Sequence, residues 1–281
     1  MAGLRLAAQA VSRLCAVAIM AKASVAGTVK TRLVPPLTYE EAAELNTCCL
    51  EDVAANIIAA SGQEAIQALA AYSPAGSEQF FAGLLSDNFK LLPPKEPTLG
   101  RSLFHAAQDL FTAGYRSVCL VNADSPTLPT RVLVEAVRRL RQPGDRVVLG
   151  PAADGGYYLI GLKQFHGRLF EEIDWSTERV YRQTASRASE LGLAVSALPE
   201  WYDVDDDQSL ALLVRELFPE SDAVIAYKAG YAAPKTAALL KKLSATNGDL
   251  KQLVEHSLSR AAPCSRPLPA RAERGSRAAG S

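Results

Sequence analysis

The chain has 281 residues, 48% of them hydrophobic and 21% charged, enough to bury one sizeable core but not a second full domain. Thirty Lys and Arg balance thirty Asp and Glu, which excludes a global field for nucleic acid or an anionic membrane and makes any anion binding local. Five cysteines (Cys15, Cys48, Cys49, Cys119 and Cys264) with no CxxC pair and no His partner at metal spacing read as reduced core thiols of a cytoplasmic protein.

Residues 1–13 are expected to be an extension, since Arg5 and Arg13 precede an apolar run too short to span a bilayer. The run from Val17 to Met20 then predicts a buried strand, followed by a loop in which Lys22, Lys30 and Arg32 fall within eleven residues. At the carboxyl end of a strand in an open α/β sheet such a loop suits phosphate. Gly27 would let the backbone approach the ligand, the lysines would supply point charges, and Arg32 could fork onto two oxygens. A solvated basic turn is the competing reading, because neither GxxxxGK[ST] nor GxGxxG spacing is present.

Thr38 and Glu41 form a capping-box pattern ahead of Leu45, Cys49, Val53 and Ile57, predicting a helix to about Gly62 whose apolar stripe faces a sheet. A strand at 65–72, a short helix at 78–85 and a strand at 89–92 follow, then a helix ended by Gly114 and a strand at 117–121. That strand delivers Asp124 ahead of Ser125-Pro126. A helix at 129–141, strands at 146–149 and 157–160, a helix capped by Ser176 and running to about Leu191, and a strand at 193–198 complete the alternation. Strands alternating with helices predict a mainly parallel sheet covered on both faces. Beyond Pro219 a helix pair is expected at 235–260, and the Pro, Arg, Ala, Gly and Ser rich stretch 261–281 is expected to be disordered.

Three acidic features carry chemistry. Asp124 would project into the crevice, and Asp203 and Asp205, on one side of an extended segment, could share a hard cation with it. A helix start accounts for one or two of the acids at 203–207, and an ordinary turn is the plain reading of Asp124. In Asp154-Gly155-Gly156-Tyr157 the glycines permit unusual backbone and the tyrosine adds a stacking surface, although a hairpin turn would look similar. Three scattered histidines give no support to a His-centred triad or zinc site.

The runs MAKASVAGTVKTRL, LVNADSPTL, VLGPAADGGYYLIGL, IDWST and WYDVDDDQSL resemble, in order, a family of small GT-A-like transferases described as nucleotide-diphospho-sugar transferases, some linked to arsenosugar biosynthesis. They are similar, more distantly, to 2-phospho-lactate and molybdenum cofactor guanylyltransferases. The resemblance implies a three-layer α/β/α GT-A-like domain over residues 14–218; the helical appendage at 219–260 is read from the residues alone. It implies Lys22, Gly27, Lys30 and Arg32 as nucleotide and phosphate contacts, and Asp124, Asp203 and Asp205 as ligands of Mg²⁺ or Mn²⁺. Gly155, Gly156, Tyr157, Trp175 and Ser176 would lie on the acceptor side, with Asp124 and Asp154 catalytic, Asp154 as general base. The chain departs from the family at Ser24, at Asn122-Ala123 and at 95–101, positions that bear on nucleotide preference. The expected activity is metal-dependent transfer of a sugar from a nucleotide-diphospho-sugar to a small acceptor. The alternatives are nucleotidyl transfer from a nucleoside triphosphate to a phosphorylated small molecule, with pyrophosphate released, and nucleotide binding without turnover. No nucleic-acid or membrane partner is expected.

Overall fold

A computed structural model describes residues 11–95, 98–219 and 230–259, with side chains described as far as Leu253. The elements are β1 (Cys15–Lys22), α1 (Tyr39–Ser61), β2 (Ile66–Ser73), α2 (Glu78–Leu84), β3 (Lys90–Leu92), α3 (Leu99–Thr112), β4 (Ser117–Asn122), α4 (Thr130–Arg141), β5 (Arg146–Pro151), β6 (Tyr157–Leu162), α5 (Val180–Glu190), β7 (Ala194–Ala197), α6 (Asp207–Leu217), α7 (Pro234–Thr246) and α8 (Gly248–Ser259). The predicted elements are all present, with ends shifted by a few residues. One capping assignment is corrected. Ser176 does not cap α5: its φ is 63°, and the helix begins at Val180 after Arg179. The expected tail at 261–281 and residues 1–10 lie outside the described residues.

Seven strands form one sheet in the order β3-β2-β1-β4-β6-β5-β7. All pairings are parallel except those of β6, which runs antiparallel to both β4 and β5. Side chains alternate across β1: Cys15, Val17, Ile19 and Ala21 face a cluster with α1 and α4, while Ala16 and Ala18 face one with α3 and α5. The layers are α/β/α, as expected. Because β5 runs parallel to β4, the segments following β1, β4, β5 and β7 all open at one edge of the sheet.

A third cluster lies off the sheet. It joins Leu33 and Leu37, Leu45 and Cys49 of α1, Val204 on the segment after β7, Leu210 and Leu213 of α6, and Leu239, Leu240 and Leu243 of α7. The stripe on α1 therefore does two jobs. Val53 and Ile57 face the sheet, whereas Leu45 and Cys49 face the C-terminal helices. The capping box expected at Thr38 and Glu41 is present.

Three buried polar residues interrupt the apolar surface of α1, and each holds a different segment. Asn46 donates to the Lys22 carbonyl and to Ser24 Oγ. Asn56 donates to the Leu128 carbonyl at 2.6 Å and accepts from Thr130 Oγ1 at 2.6 Å. Asp52, wholly buried, accepts the backbone N–H groups of Lys235 and Thr236 at 3.1 and 2.8 Å and so closes the N-terminus of α7 with a carboxylate. Asp52→Ala would leave those donors buried without a partner. It is expected to cost about 2 kcal/mol, read as a lower urea midpoint, while Asp52→Asn, which keeps one acceptor, should cost less.

Candidate active site

The loop after β1 is held from within. Lys22 Nζ donates to the Thr28 carbonyl at 2.8 Å, and Gly27 takes φ 77°, where a side chain would be strained. Lys30 also sits in the left-handed region, at φ 46°. For a residue with a Cβ that backbone costs on the order of 1–2 kcal/mol, and the side chain supplies a compensation. Its ammonium donates to Asp124 Oδ1 at 2.5 Å and to the Val204 carbonyl at 2.8 Å, with only 2% of the side chain exposed. Burial opposes the charge on Lys30, but the charge and hydrogen bond of Asp124 together with the charges of Cys49 and Asp205 outweigh it and hold the ammonium above the ordinary lysine range. Expected as a phosphate contact, Lys30 is placed instead on a carboxylate at the back of the loop.

Arg32 differs. It is 67% exposed and makes one 3.2 Å contact to Asp205 Oδ2. A surface pair of this kind is worth about 0–1 kcal/mol and leaves the guanidinium free to exchange partners.

Asp124 and Asp205 are neighbours. The Val204 N–H donates to the Asp124 carbonyl at 2.8 Å, so the turn after β4 and the segment after β7 are stitched at the same residue that receives Lys30. Burial pushes the Asp205 carboxyl upward, the charges of Asp124 and Asp154 add to the rise, and Lys30 and Arg32 oppose it. The charge of Asp154 thus reaches Asp205. Asp154 Oδ1 accepts from the Gly156 N–H at 2.8 Å, closing the turn it begins.

Asp203 lies near enough to feel both charges and has hydrogen-bond partners of its own. Its Oδ1 accepts from Ser125 Oγ at 2.5 Å and from Asn122 Nδ2 at 2.6 Å. Among the described residues no group of three or more His, Cys, Asp or Glu converges to hold a metal ion. Of the three expected ligands, Asp203 is engaged through Oδ1 with Ser125 and Asn122 at the end of β4, while the charges of Asp124 and Asp205 both reach it. Asn122, a departure from the family pattern, bears directly on a carboxylate rather than on nucleotide preference alone. Two carboxylates are still a fit for a hard cation, since Mg²⁺ binds through one or two and completes its shell with water and phosphate oxygens.

The acceptor-side residues divide. Gly155, at φ 90°, packs so closely on α5 that an added Cβ would lie 2.3 Å from the Glu178 carbonyl, and its own carbonyl accepts from the Tyr181 N–H. Trp175 is committed to packing: a Cβ on Gly100 would lie 2.1 Å from its Nε1, and Tyr157 meets it edge to face at 6.5 Å. Burial holds the Tyr157 hydroxyl above the ordinary tyrosine range. Ser176 is exposed on the turn between them and α5. Gly156 stays at the turn, held by Asp154.

Two depressions flank the carboxylates. A cleft of about 230 Å³ lies between α3 and the ends of β1, β2 and β3, where Met20, Lys22, Tyr72, Leu92, His105 and Asp109 line it. A groove of about 360 Å³ lies past the ends of β5 and β7, lined by Ala153, Gly155, Glu178, Tyr181, Arg182 and Glu200. The loops of Lys30, Asp124 and Asp154 lie between them along the sheet order.

With that geometry in place, the comparisons can be weighed. A solved structure from Desulfovibrio desulfuricans, provisionally assigned as a nucleotide-diphospho-sugar transferase, is 28% identical, with a TM-score of 0.71 over 85% of this chain and 97% of that one. The resemblance to nucleotide-diphospho-sugar transferases holds in sequence and in fold. The family described as "Uncharacterized protein conserved in bacteria (DUF2064)" matches residues 56–177 of the chain. Two further solved structures are far weaker matches. A 4-diphosphocytidyl-2C-methyl-D-erythritol synthase from Anaerococcus prevotii is 10% identical, with a TM-score of 0.48 over 72% of this chain and 96% of that one. A CMP-2-keto-3-deoxy-manno-octonic acid synthetase complexed with CTP is 11% identical, with a TM-score of 0.47 over 73% and 100%. Neither bears on the reaction here. No curated protein matches the sequence.

The residues missed in the sequence are those that position the site: Asn46, Asn122, Ser125 and the Val204 carbonyl. A signal existed for Asn46, a polar residue breaking the apolar surface of a helix. Val204 offered none, because its contribution is a backbone oxygen.

Asp203 gives a pH signature. Burial pushes its carboxyl up to about 7, the Ser125 hydrogen bond pulls the other way, and the Asp124 charge adds to the rise. An unfolded aspartate titrates near 3.8, so between about pH 4 and pH 7 the folded chain holds the extra proton and stability falls as pH rises. Asp203→Asn keeps the acceptor and removes the titration. In denaturant melts the variant is expected to gain on wild type steadily across that interval; parallel pH profiles would contradict the assignment.

Proposed function

We propose that this chain is a metal-dependent glycosyltransferase that moves a sugar from a nucleotide-diphospho-sugar to a small hydroxyl-bearing acceptor. In this reading the base enters the cleft beside α3, the diphosphate lies along the loop of Lys22, Gly27 and Arg32, and the acceptor occupies the groove beside α5. Asp124 and Asp205 would hold the divalent cation, which when bound would neutralise the departing diphosphate. Arg32 would turn from Asp205 to phosphate oxygens, where a guanidinium forks onto two acceptors. Asp154, on the loop that lines the groove through Ala153 and Gly155, would take the proton of the attacking hydroxyl.

The observation that carries this reading over its rival is the charge of the groove. Glu178 and Glu200 outnumber Arg182 there, with Asp154 at its rim. A nucleotidyltransferase must hold a phosphorylated acceptor next to the triphosphate, and two carboxylates against one guanidinium repel a phosphate dianion. An uncharged hydroxyl meets no such barrier. The similarity to the Desulfovibrio protein points the same way, and binding without turnover is the third reading.

Asp124 is a poor test residue because losing it would strand the buried Lys30 charge. Asp205 is paired only at the surface. Asp205→Asn is expected to keep the fold and to lower metal-dependent turnover of nucleotide sugars by about 10²–10³-fold. Pyrophosphate release from a nucleoside triphosphate, with nucleotide sugars inert, would reverse the ranking. Nucleotide binding with neither activity across a broad acceptor panel would favour the binding protein.

A further inference from the structure

Each carboxylate of the site already has a partner in the free chain. Asp124 is held by Lys30 at 2.5 Å, Asp205 by Arg32 at 3.2 Å, and Asp203 by Ser125 and Asn122. The two ion pairs are electrically balanced, two cations against two carboxylates. They differ in permanence. Lys30 is 2% exposed, donates a second bond to the Val204 carbonyl, and extends from a left-handed backbone that neighbours Leu33 in the third hydrophobic cluster. Withdrawing it would strand a buried charge and a buried carbonyl together, whereas Arg32 exchanges partners in solvent.

We infer that Lys30 is the resident counter-cation of Asp124, that it keeps the free chain from binding a divalent cation by itself, and that the cation enters with the nucleotide as a metal–nucleotide complex. This rests on the metal-dependent reading above. The physical reason is charge. A divalent ion approaching the free chain meets two carboxylates whose charge is already cancelled by an ammonium and a guanidinium. A diphosphate arriving with its metal brings its own oxygens for most of the coordination shell and takes over Arg32, and only then is the Asp205 carboxylate released to the metal. Lys30 stays on Asp124 throughout. It acts as a positioning residue rather than a phosphate ligand, and metal and nucleotide affinities are coupled reciprocally through Arg32.

The test is a set of Mn²⁺ titrations followed by electron paramagnetic resonance and calorimetry, on full-length wild type, Lys30→Met and Lys30→Gln, with circular dichroism confirming the folds. Wild type alone is expected to bind Mn²⁺ at least tenfold more weakly than Lys30→Met. Adding uridine diphosphate or guanosine diphosphate to wild type is expected to tighten Mn²⁺ binding at least tenfold beyond the affinity of Mn²⁺ for the free nucleotide. Lys30→Gln keeps the hydrogen bonds without the charge, so it should follow Lys30→Met if charge is the cause. Wild type alone binding Mn²⁺ as tightly as Lys30→Met would overturn the inference. So would a Lys30→Gln that folds yet behaves as wild type. If both variants unfold, wild-type binding decides: one Mn²⁺ taken up tightly without nucleotide overturns the proposal, and uptake only with nucleotide supports it. Failure of every nucleotide diphosphate to bind, with the Lys30 difference intact, would sink the glycosyltransferase reading and leave the counter-cation role standing.

Discussion

The site depends on one ion pair whose ammonium is buried. Lys30 and Asp124 lie 94 positions apart, and their contact joins the loop after β1 to the turn after β4. The Val204 carbonyl, on the segment after β7, takes a second bond from the same ammonium. Three segments from separate parts of the chain therefore converge on a single nitrogen. A desolvated charge is costly unless paired and hydrogen-bonded, and both conditions are met for Lys30, so the convergence is energetically tied: losing Asp124 would strand the buried ammonium, whereas exposed pairs such as Arg32 with Asp205 contribute little.

What buries the ammonium is the third hydrophobic cluster. Leu33 follows the loop and Val204 is the very residue that accepts Lys30, and both are fully buried in a cluster completed by α6 and α7. The C-terminal helices thus form the floor under the charged centre. Asp52 strengthens the connection by capping α7 from α1, the helix whose Asn46 also holds the loop at Lys22 and Ser24. Helix α1 is the shared support, packing the sheet with Val53 and Ile57 and the C-terminal helices with Leu45 and Cys49.

Charge is graded along the open edge of the sheet. The loop of Lys22, Lys30 and Arg32 lies at the β1 end, the carboxylates at the centre, and a groove rich in Glu toward β5 and β7. Lys30 and Arg32 reach from the first into the second and pair with Asp124 and Asp205, so the middle is balanced while Glu178 and Glu200 outnumber Arg182 in the groove. A parallel sheet produces this ordering because successive strands deliver their following loops to the same edge, and strand order decides which loops become neighbours.

Much of this architecture was readable in residues. The alternation of strands and helices, the capping box at Thr38 and Glu41, and the glycines of the Asp154 turn are local properties, set by periodicity and backbone preference within a few positions. The segments bearing Lys30, Asp124, Asp154 and Asp205 could be picked out for the same reason, since each follows a strand. The tertiary structure decided what those side chains touch. It put Lys30 on a carboxylate instead of open to phosphate, turned Asp203 onto Ser125 and Asn122, committed Trp175 to Gly100, and used a backbone oxygen at Val204 that no side-chain pattern announces. Composition and spacing specify which groups can carry charge and where the chain turns. Whether a charge is solvated, paired or free to bind depends on burial and on partners far away in sequence, which only the folded chain brings together.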